Sequence, residues 1–204
     1  NSPPSIRRVA IAPARATARD LLQADVDARD EDGDPVELSY RWLRNGQPIG
    51  TDFSNVYAAG TLTWQGRSAD AYEPALQHAA EKAMFDGRDV PFYGWHYPPF
   101  FFAIAALVAA VPYAWGLAIW LGASFAAYLA AIRAILPRRE TLLVAAAFPA
   151  VFVNLGHGHN GFLTAALIGT ALVVLDRRPL VAGVLFGLMA YKPQFGVMIP
   201  LVLG

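Results

Sequence analysis

Two histidines and an asparagine stand inside an otherwise apolar stretch, in the segment VNLGHGHNGFL at 153–163. Their side chains could bind a metal ion, hydrogen-bond a polar ligand, or form a polar turn between two helices. An H-x-H pair without a neighbouring carboxylate is a poor metal-ligand set, and its spacing differs from the i, i+4 pair of helical zinc sites. The glycines at 156, 158 and 161 favour a turn. We therefore predict a polar turn in which His157, His159 and Asn160 line a binding site that holds no metal.

Three further polar residues have types and positions that suit a binding site. Asp52 is either the N-cap of a helix beginning at Phe53 or a carboxylate that points into a cleft. Lys192 is the last charged residue of the chain, and its ammonium either reaches the membrane interface or faces an anionic ligand. His96 lies between two aromatic residues typical of membrane interfaces, Trp95 and Tyr97, which favours interface anchoring.

The distribution of charge indicates a membrane-embedded second half. Residues 1–96 contain 24 of the 32 Asp, Glu, Lys and Arg side chains, and residues 97–204 contain eight. Residues 97–132 and 141–175 contain none, and each stretch exceeds the roughly 20 apolar residues that cross a bilayer. We predict a polytopic helical membrane bundle in the cell membrane.

The lengths of the apolar segments predict how the chain crosses the bilayer. Residues 100–111 precede Pro112 and would form a helix of roughly 18 Å, too short for a hydrocarbon core of about 30 Å. Segments 113–132, 141–155 and 161–175 are long enough. If 100–111 is re-entrant, the arginine pairs at 138–139 and 177–178 both lie on the cytoplasmic side, as the positive-inside rule requires. In the alternative topology, 100–111 crosses the bilayer and four arginines lie outside. We prefer the topology in which 100–111 is re-entrant.

The N-terminal residues alternate between apolar and polar side chains with the period of a β-strand. Ala24, Val26 and Ala28 alternate with polar residues, as do the apolar residues at 36–42, and Asn45-Gly46 is typical of a hairpin turn. This stretch resembles the first half of the immunoglobulin-like repeats of bacterial surface proteins, such as PKD and cadherin-like modules. We predict a partial β domain at 1–50, an extracytoplasmic loop with short helices at 51–97, and the transmembrane region at 98–204.

An acidic stretch, DARDEDGDP, lies within the predicted β domain. It does not match the ligand spacing of an EF-hand, because the first and twelfth ligand positions would fall on Ala28 and Ser39. Asp30, Asp32 and Asp34 could bind calcium in a surface repeat, although a solvated turn explains them more simply.

The chain contains no cysteine, which excludes disulfides and thiolate chemistry. It also lacks an initiator methionine and ends inside an apolar run, so we expect a fragment of a longer protein.

Four segments together resemble glycosyltransferase family 87: TDFSNVYAAG, WHYPPFFF, NLGHGHNG and YKPQ. The resemblance covers 51–204. The resemblance implies a membrane mannosyltransferase of the GT-C type that takes its sugar from a polyprenyl-phosphate donor. It implies a lipid or glycan acceptor, the bilayer as a partner, and no nucleic acid. Asp52 would be the catalytic base in the first extracytoplasmic loop. The substrate-binding residues would be His96, His157, His159, Asn160 and Lys192.

The expected fold class is therefore mainly α: an incomplete GT-C-like membrane bundle preceded by a short all-β, immunoglobulin-like fragment. A second hypothesis is a non-catalytic, membrane-anchored surface or adhesion module in which the strands act as a spacer. A transporter is not supported, because the two uncharged runs contain no acidic residue.

The preferred topology predicts that Arg139 and His159 lie on opposite sides of the membrane. Because the chain has no cysteine, Arg139→Cys and His159→Cys each introduce a single thiol. A membrane-impermeant thiol reagent applied to intact cells should label the variant at 159 and leave the one at 139 unlabelled until the membrane is opened. Labelling of both variants from the same side would show that the preferred topology is wrong.

Overall fold

The computed structural model describes residues 2–12, 23–36, 38, 43–44, 47–48, 50–85, 87, 90–192 and 194–195. The chain divides into two compact units, Asn1–Arg41 and Trp42–Gly204.

The first unit contains two antiparallel strands, β1 (Ser5–Ala12) and β2 (Gln23–Arg29). Side chains of β2 alternate between half-buried and exposed, which confirms the alternation predicted for 24–28. Val9 pairs with Val26, and Arg8 forms an ion pair with Asp25. The strand predicted at 36–42 falls mostly on residues outside the described ranges, so the described part of this unit is a two-stranded sheet.

The acidic stretch that follows β2 forms a local turn. The buried carboxylate of Asp30 accepts hydrogen bonds from the backbone N–H groups of Asp32 (2.8 Å) and Asp34 (3.4 Å). Such a side-chain bond to the backbone two residues on is the usual role of aspartate in a turn. Among the described residues, no group of three or more His, Cys, Asp or Glu side chains could hold a metal ion. The carboxylate of Asp30 thus stabilises a local turn.

The second unit opens with two short antiparallel strands, β3 (Leu43–Arg44) and β4 (Gln47–Pro48). Their pairing is what the predicted hairpin requires, while Asn45 and Gly46 themselves lie outside the described residues.

Four helical segments then precede the long apolar helix. They are α1 (Thr51–Trp64), a 3-10 helix (Ser68–Tyr72), α2 (Pro74–Ala83) and α3 (Phe101–Ala109). Helix α1 confirms that a helix lies at this position, but it begins two residues before Phe53. Gly50 is its N-cap and no side chain caps it, so Asp52 is not the N-cap.

The remaining described helices form the apolar part of the unit. They are α4 (Tyr113–Ile135), α5 (Thr141–Ala147), α6 (Pro149–His157), α7 (Gly161–Val174) and α8 (Pro179–Leu188), followed by a 3-10 turn at Met189–Tyr191. Of the described helices, α4 alone is both long and apolar enough to cross a bilayer unaided. Large apolar side chains on its neighbours are nevertheless exposed, including Leu143 (74%) and Leu180 (86%). A surface of this kind suits lipid better than water.

The segment predicted as one crossing at 141–155 is divided into α5 and α6 at Phe148-Pro149. Phe148 is extended (φ −63°, ψ 131°) because the proline ring disfavours helical backbone in the residue before it. Pro149 then begins α6, where its missing N–H is not needed. The expectation of an unbroken helix was therefore wrong, and the second helix ends later than predicted, at His157.

Helices α4 and α7 run parallel to each other. The ring of Phe162 lies 5.0 Å from that of Phe125, and a Cβ atom added at Gly169 would lie 3.3 Å from the Cβ of Ala131. Contacts thus advance along both helices in the same direction. The arginine-containing loops that follow α4 and α7 consequently lie at one end of the bundle, and the residues that precede the two helices lie at the other.

Helices α1 and α3 pack so closely that a glycine is required between them. A Cβ added at Gly60 would lie 2.1 Å from the carbonyl oxygen of Ala105 and 2.7 Å from the Cβ of Ala109. Neither atom can move without shifting the α3 backbone. This contact holds α1 against the apolar core formed by Phe53, Phe101, Phe102 and Trp120.

We predict that Gly60→Ala lowers the free energy of unfolding by about 1–3 kcal/mol, the usual cost of overpacking. The matched control is Gly122→Ala, another helical glycine, where an added Cβ meets nothing within 4 Å. Because alanine is the better helix former, this control should be neutral or stabilising by about 0.5–1 kcal/mol. Thermal unfolding in detergent measures both, and equal midpoints for the two variants would contradict the close packing.

Candidate functional site

The predicted polar turn between α6 and α7 is present. Gly158 adopts the left-handed conformation (φ 70°, ψ 28°), which glycine alone adopts without strain. The N–H of His159 donates to the carbonyl of Asn154 at 3.1 Å. With its amide oriented to satisfy both neighbours, buried Asn154 donates to the carbonyl of His159 (3.2 Å) and accepts from the N–H of Phe162 (3.0 Å). These hydrogen bonds fix the positions of the turn residues.

The first turn of α1 packs directly on this polar turn. A Cβ at Gly158 would lie 2.8 Å from the Cβ of Phe53 and 3.1 Å from the Cα of Gly50. Two aromatic donors from α4 bind the same place: Trp120 Nε1 donates to the carbonyl of Gly158 (3.2 Å), and Tyr113 Oη donates to that of Gly50 (2.9 Å). Segments more than 100 residues apart in the sequence are thereby brought together.

As a result, each histidine faces one residue of α1. The carboxylate of Asp52 contacts Nδ1 of His159, and the hydroxyl of Thr51 lies 3.5 Å from Nδ1 of His157. The side chains of Asp52 and His159 remain 31% and 42% exposed, so a ligand can reach both. The sequence predicted the two residues as separate parts of one site but gave no reason to expect their contact.

Asn160 is buried and connects the turn to two tyrosines. Its Nδ2 donates to Tyr97 Oη at 2.7 Å, and Tyr191 Oη lies 3.5 Å from its carbonyl oxygen and within hydrogen-bonding distance of Thr164 Oγ1. Burial raises the pKa of Tyr97, and the negative charge of Asp52 raises it further. The hydroxyl of Tyr97 therefore keeps its proton and can donate it in a hydrogen bond.

Lys192 follows the last helical turn and lies at the same end of the bundle. Its Nζ is 5.9 Å from the ring centroid of Tyr191. Burial lowers the pKa of Lys192, while the carboxylate of Asp52 acts in the opposite direction. The carboxylate of Asp52 is thus close enough to favour the charged form of Lys192.

A polar cavity of about 370 Å³ opens in front of Asp52. His96 lines it but stays exposed, and its Nδ1 bonds to the carbonyl of Gly94 (2.8 Å) within its own loop. The cavity is lined by Asp52, Asn55, Phe92, Tyr93, Gly94, His96, Tyr97, Tyr191, Lys192 and Gln194.

An apolar groove of about 480 Å³ lies on the other side of the same residues. Its wall consists mainly of side chains from α4, α6 and α7, such as Tyr128, Val151 and Phe162. Its polar end is formed by His159, Asn160 and Lys192. Lys192 lines both spaces, so a ligand with an apolar tail and a charged head could lie in the groove with its head beside Asp52.

Sequence reasoning missed two of these site residues. It treated Tyr97 as an interface aromatic and gave Tyr191 no role, although both stand in the Y-P-P and Y-K-P segments. The aromatic stacking of Phe101 on Tyr97 (4.6 Å) and on Tyr191 (5.0 Å) depends on packing that a single sequence does not display.

The family comparison now identifies the chain. The model of glycosyltransferase family 87 matches residues 95–203. This chain belongs to glycosyltransferase family 87. The match includes every predicted substrate-binding residue, from His96 to Lys192, whereas Asp52 precedes it and joins the site by its contact with His159. No curated protein and no solved structure matches the chain significantly.

Membership supports a glycosyltransferase that acts on a sugar donor and an acceptor. It also indicates a membrane protein, in agreement with the length and apolar character of α4.

Assembly of this candidate site should depend on Gly158. We predict that Gly158→Ala lowers the free energy of unfolding by about 2–4 kcal/mol, which combines backbone strain with overpacking against Phe53. Gly66→Ala is the matched control, because Gly66 has the same conformation (φ 72°) but open space around it. The control should cost only the strain, about 1 kcal/mol. Equal losses in denaturant unfolding would mean that the α1 contact is absent.

Proposed function

We propose that the chain transfers a mannosyl unit from a polyprenyl-phosphate donor to a lipid or glycan acceptor, as a GT-C type enzyme. The observation that carries the proposal is the contact between Asp52 and His159, at a point where a polar cavity meets an apolar groove. The shape and charge of this junction suit a donor that has both a long hydrocarbon tail and a phosphate-linked sugar.

In this proposal, the apolar groove receives the hydrocarbon chain and the junction receives the phosphate. The groove wall offers the apolar contacts that burial of a lipid chain needs. Lys192 supplies the cation and Asn160 and Tyr97 supply hydrogen-bond donors for a phosphate oxygen. The sugar and the acceptor hydroxyl then lie in the polar cavity, in front of Asp52.

The reaction exchanges one bond to the anomeric carbon for another. The acceptor oxygen attacks that carbon, the bond to the donor phosphate breaks, and the polyprenyl phosphate leaves with the electron pair. Asp52 takes the proton of the acceptor hydroxyl as general base. Lys192 stabilises the negative charge of the leaving phosphate. His159 bonds to the carboxylate of Asp52 and keeps it directed at the cavity.

We further propose a multi-pass topology in the cell membrane, with residues 51–97 on the extracytoplasmic face. The parallel course of α4 and α7 supports this arrangement, because it gathers both arginine-containing loops at the end opposite Asp52. For residues 1–50 we retain the immunoglobulin-like interpretation, which the antiparallel pairing of β1 and β2 supports.

Substitutions at Asp52 and Lys192 should differ in their effects on turnover and on donor binding. We predict that Asp52→Asn lowers turnover by a factor of about 100–10,000 while donor binding is kept, because a general base acts in the transition state. By contrast, Lys192→Gln should weaken donor binding, since a phosphate contact acts in the ground state as well. The measurement is incorporation of labelled mannose from polyprenyl-phosphate mannose into lipid by membranes that contain the chain.

Two controls keep this test specific. Asp70→Asn removes a surface carboxylate paired with Arg67, and Arg138→Gln removes a cation at the far end of the bundle; neither should change turnover. Normal turnover of Asp52→Asn would show that Asp52 is not the base. Transfer from a nucleotide-sugar donor, with none from the polyprenyl donor, would overturn the donor assignment.

A further inference from the structure

A cluster of buried polar side chains, which the proposed reaction does not use, extends from the wall of the polar cavity into the space behind it. It consists of Asn55 on α1 and Gln77 and Glu81 on α2. Gln77 and Glu81 are completely buried, and Asn55 is 7% exposed. Burying a carboxyl group is costly, so the presence of Glu81 here calls for a physical reason.

The cluster holds the backbone of the cavity wall. The N–H of Tyr93 donates to Glu81 Oε2 (3.2 Å), and Asn55 Nδ2 donates to the carbonyl of Gly94 (3.3 Å). Gln77 Nε2 donates to the carbonyl of Asn55 (3.0 Å), which ties α2 to α1. Because residues 90–98 form neither helix nor strand, these side chains supply bonds that regular structure would otherwise provide.

Within the part of the chain that the structure describes, three oxygen atoms of the same cluster have no hydrogen-bond donor. They are Asn55 Oδ1, Gln77 Oε1 and Glu81 Oε1, all buried. Three acceptors cannot satisfy one another, and an ionised carboxylate adds only further acceptor capacity. A proton on Glu81 adds a hydrogen-bond donor to the cluster, because a carboxylic acid donates one hydrogen bond.

We propose that Glu81 is a positioning residue for the glycosyl-transfer site, held as a neutral carboxylic acid that fixes residues 93–97 against α2. Its consequence for catalysis rests on the function proposed above. Fixing this segment places Tyr97 beside Asn160 and keeps the wall of the cavity in front of Asp52. Glu81 itself does not line the cavity, so it acts through the segment rather than on a substrate.

The electrostatic surroundings agree with a neutral Glu81. Burial raises the pKa of Glu81 to about 7, and the N–H of Tyr93 and the amide of Gln77 offset only part of that increase. The described titratable groups on the surrounding elements are Asp52 and Tyr57 on α1, Asp70 and Tyr72 on the 3-10 helix, Glu73, His78 and Lys82 on or beside α2, and Tyr93, His96 and Tyr97 on the wall segment.

The sign of the pH dependence follows from the direction of this shift. The folded protein binds the proton of Glu81 more tightly than the unfolded chain, in which a glutamate has the ordinary pKa of 4.5. The contribution of Glu81 to stability is therefore fully present below about pH 4.5 and is lost as the pH rises through about 7.

We expect Glu81→Gln, which is neutral and of the same shape, to preserve the site, whereas Glu81→Ala should loosen it. Hydrogen exchange should show faster exchange of the amides at 92–97 in the alanine variant only. Between pH 5 and pH 8 the unfolding midpoint of the wild type should fall relative to that of Glu81→Gln. Glu73→Gln, at an exposed glutamate before α2, is the matched control and should follow the wild type.

Measurements of turnover distinguish a positioning role of Glu81 from an effect on stability alone. At pH 6 Glu81→Gln should retain wild-type turnover, and Glu81→Ala should lose up to about 100-fold, the effect of a site displaced by about 1 Å. Towards pH 8 the wild type should lose activity that Glu81→Gln keeps. The proposal is overturned if the glutamine variant matches the alanine variant, or if the wild type and Glu81→Gln respond identically to pH. If no variant transfers sugar, the function proposed above fails, and the exchange and unfolding measurements still decide the role of Glu81.

Discussion

The close approach between Gly158 and the first turn of α1 is the constraint on which the rest of the site depends. No side chain fits at Gly158, because the Cβ of Phe53 and the backbone of Gly50 occupy the space. Fully buried Phe53 anchors α1 in the aromatic core, and Trp120 and Tyr113 bind the two glycine carbonyls from α4. The same contact that closes the core therefore also sets the distance between Asp52 and His159.

This constraint explains why imidazoles stand in an apolar stretch. His157 and His159 are more than exposed residues of a turn, since each contacts a polar side chain of α1. Each histidine thereby has a polar partner at the end of an apolar helix. These contacts also leave Asp52, His159 and Lys192 accessible between a polar cavity and an apolar groove, where a lipid-linked donor would present its reacting bond.

Local features of the fold could be predicted from the sequence, because they depend on local chemistry. The glycines at 156, 158 and 161 predicted the turn, and Pro112 predicted the end of the short apolar helix. The break at Phe148-Pro149 was missed because the apolar run looked continuous, although the proline was a signal that could have been used. The contact of Asp52 with His159 could not be predicted, because it joins residues 107 apart through packing. Glu81 was missed for a related reason: a glutamate on a short polar helix is usually exposed, and only the tertiary structure buries it.

The central claim is that the first turn of α1 lies against the polar turn between α6 and α7, and a cross-link tests it without any assay of activity. Thr51→Cys and His157→Cys together place two thiols where the wild-type side chains lie 3.5 Å apart, in a chain with no other cysteine. Mild oxidation, or a short bifunctional thiol reagent, should join them efficiently, as seen by intact mass and loss of free thiols. The control pair, Thr51→Cys with Arg138→Cys, places its thiols at opposite ends of the bundle and should stay unlinked. Cross-linking of the first pair no greater than that of the control would contradict the account.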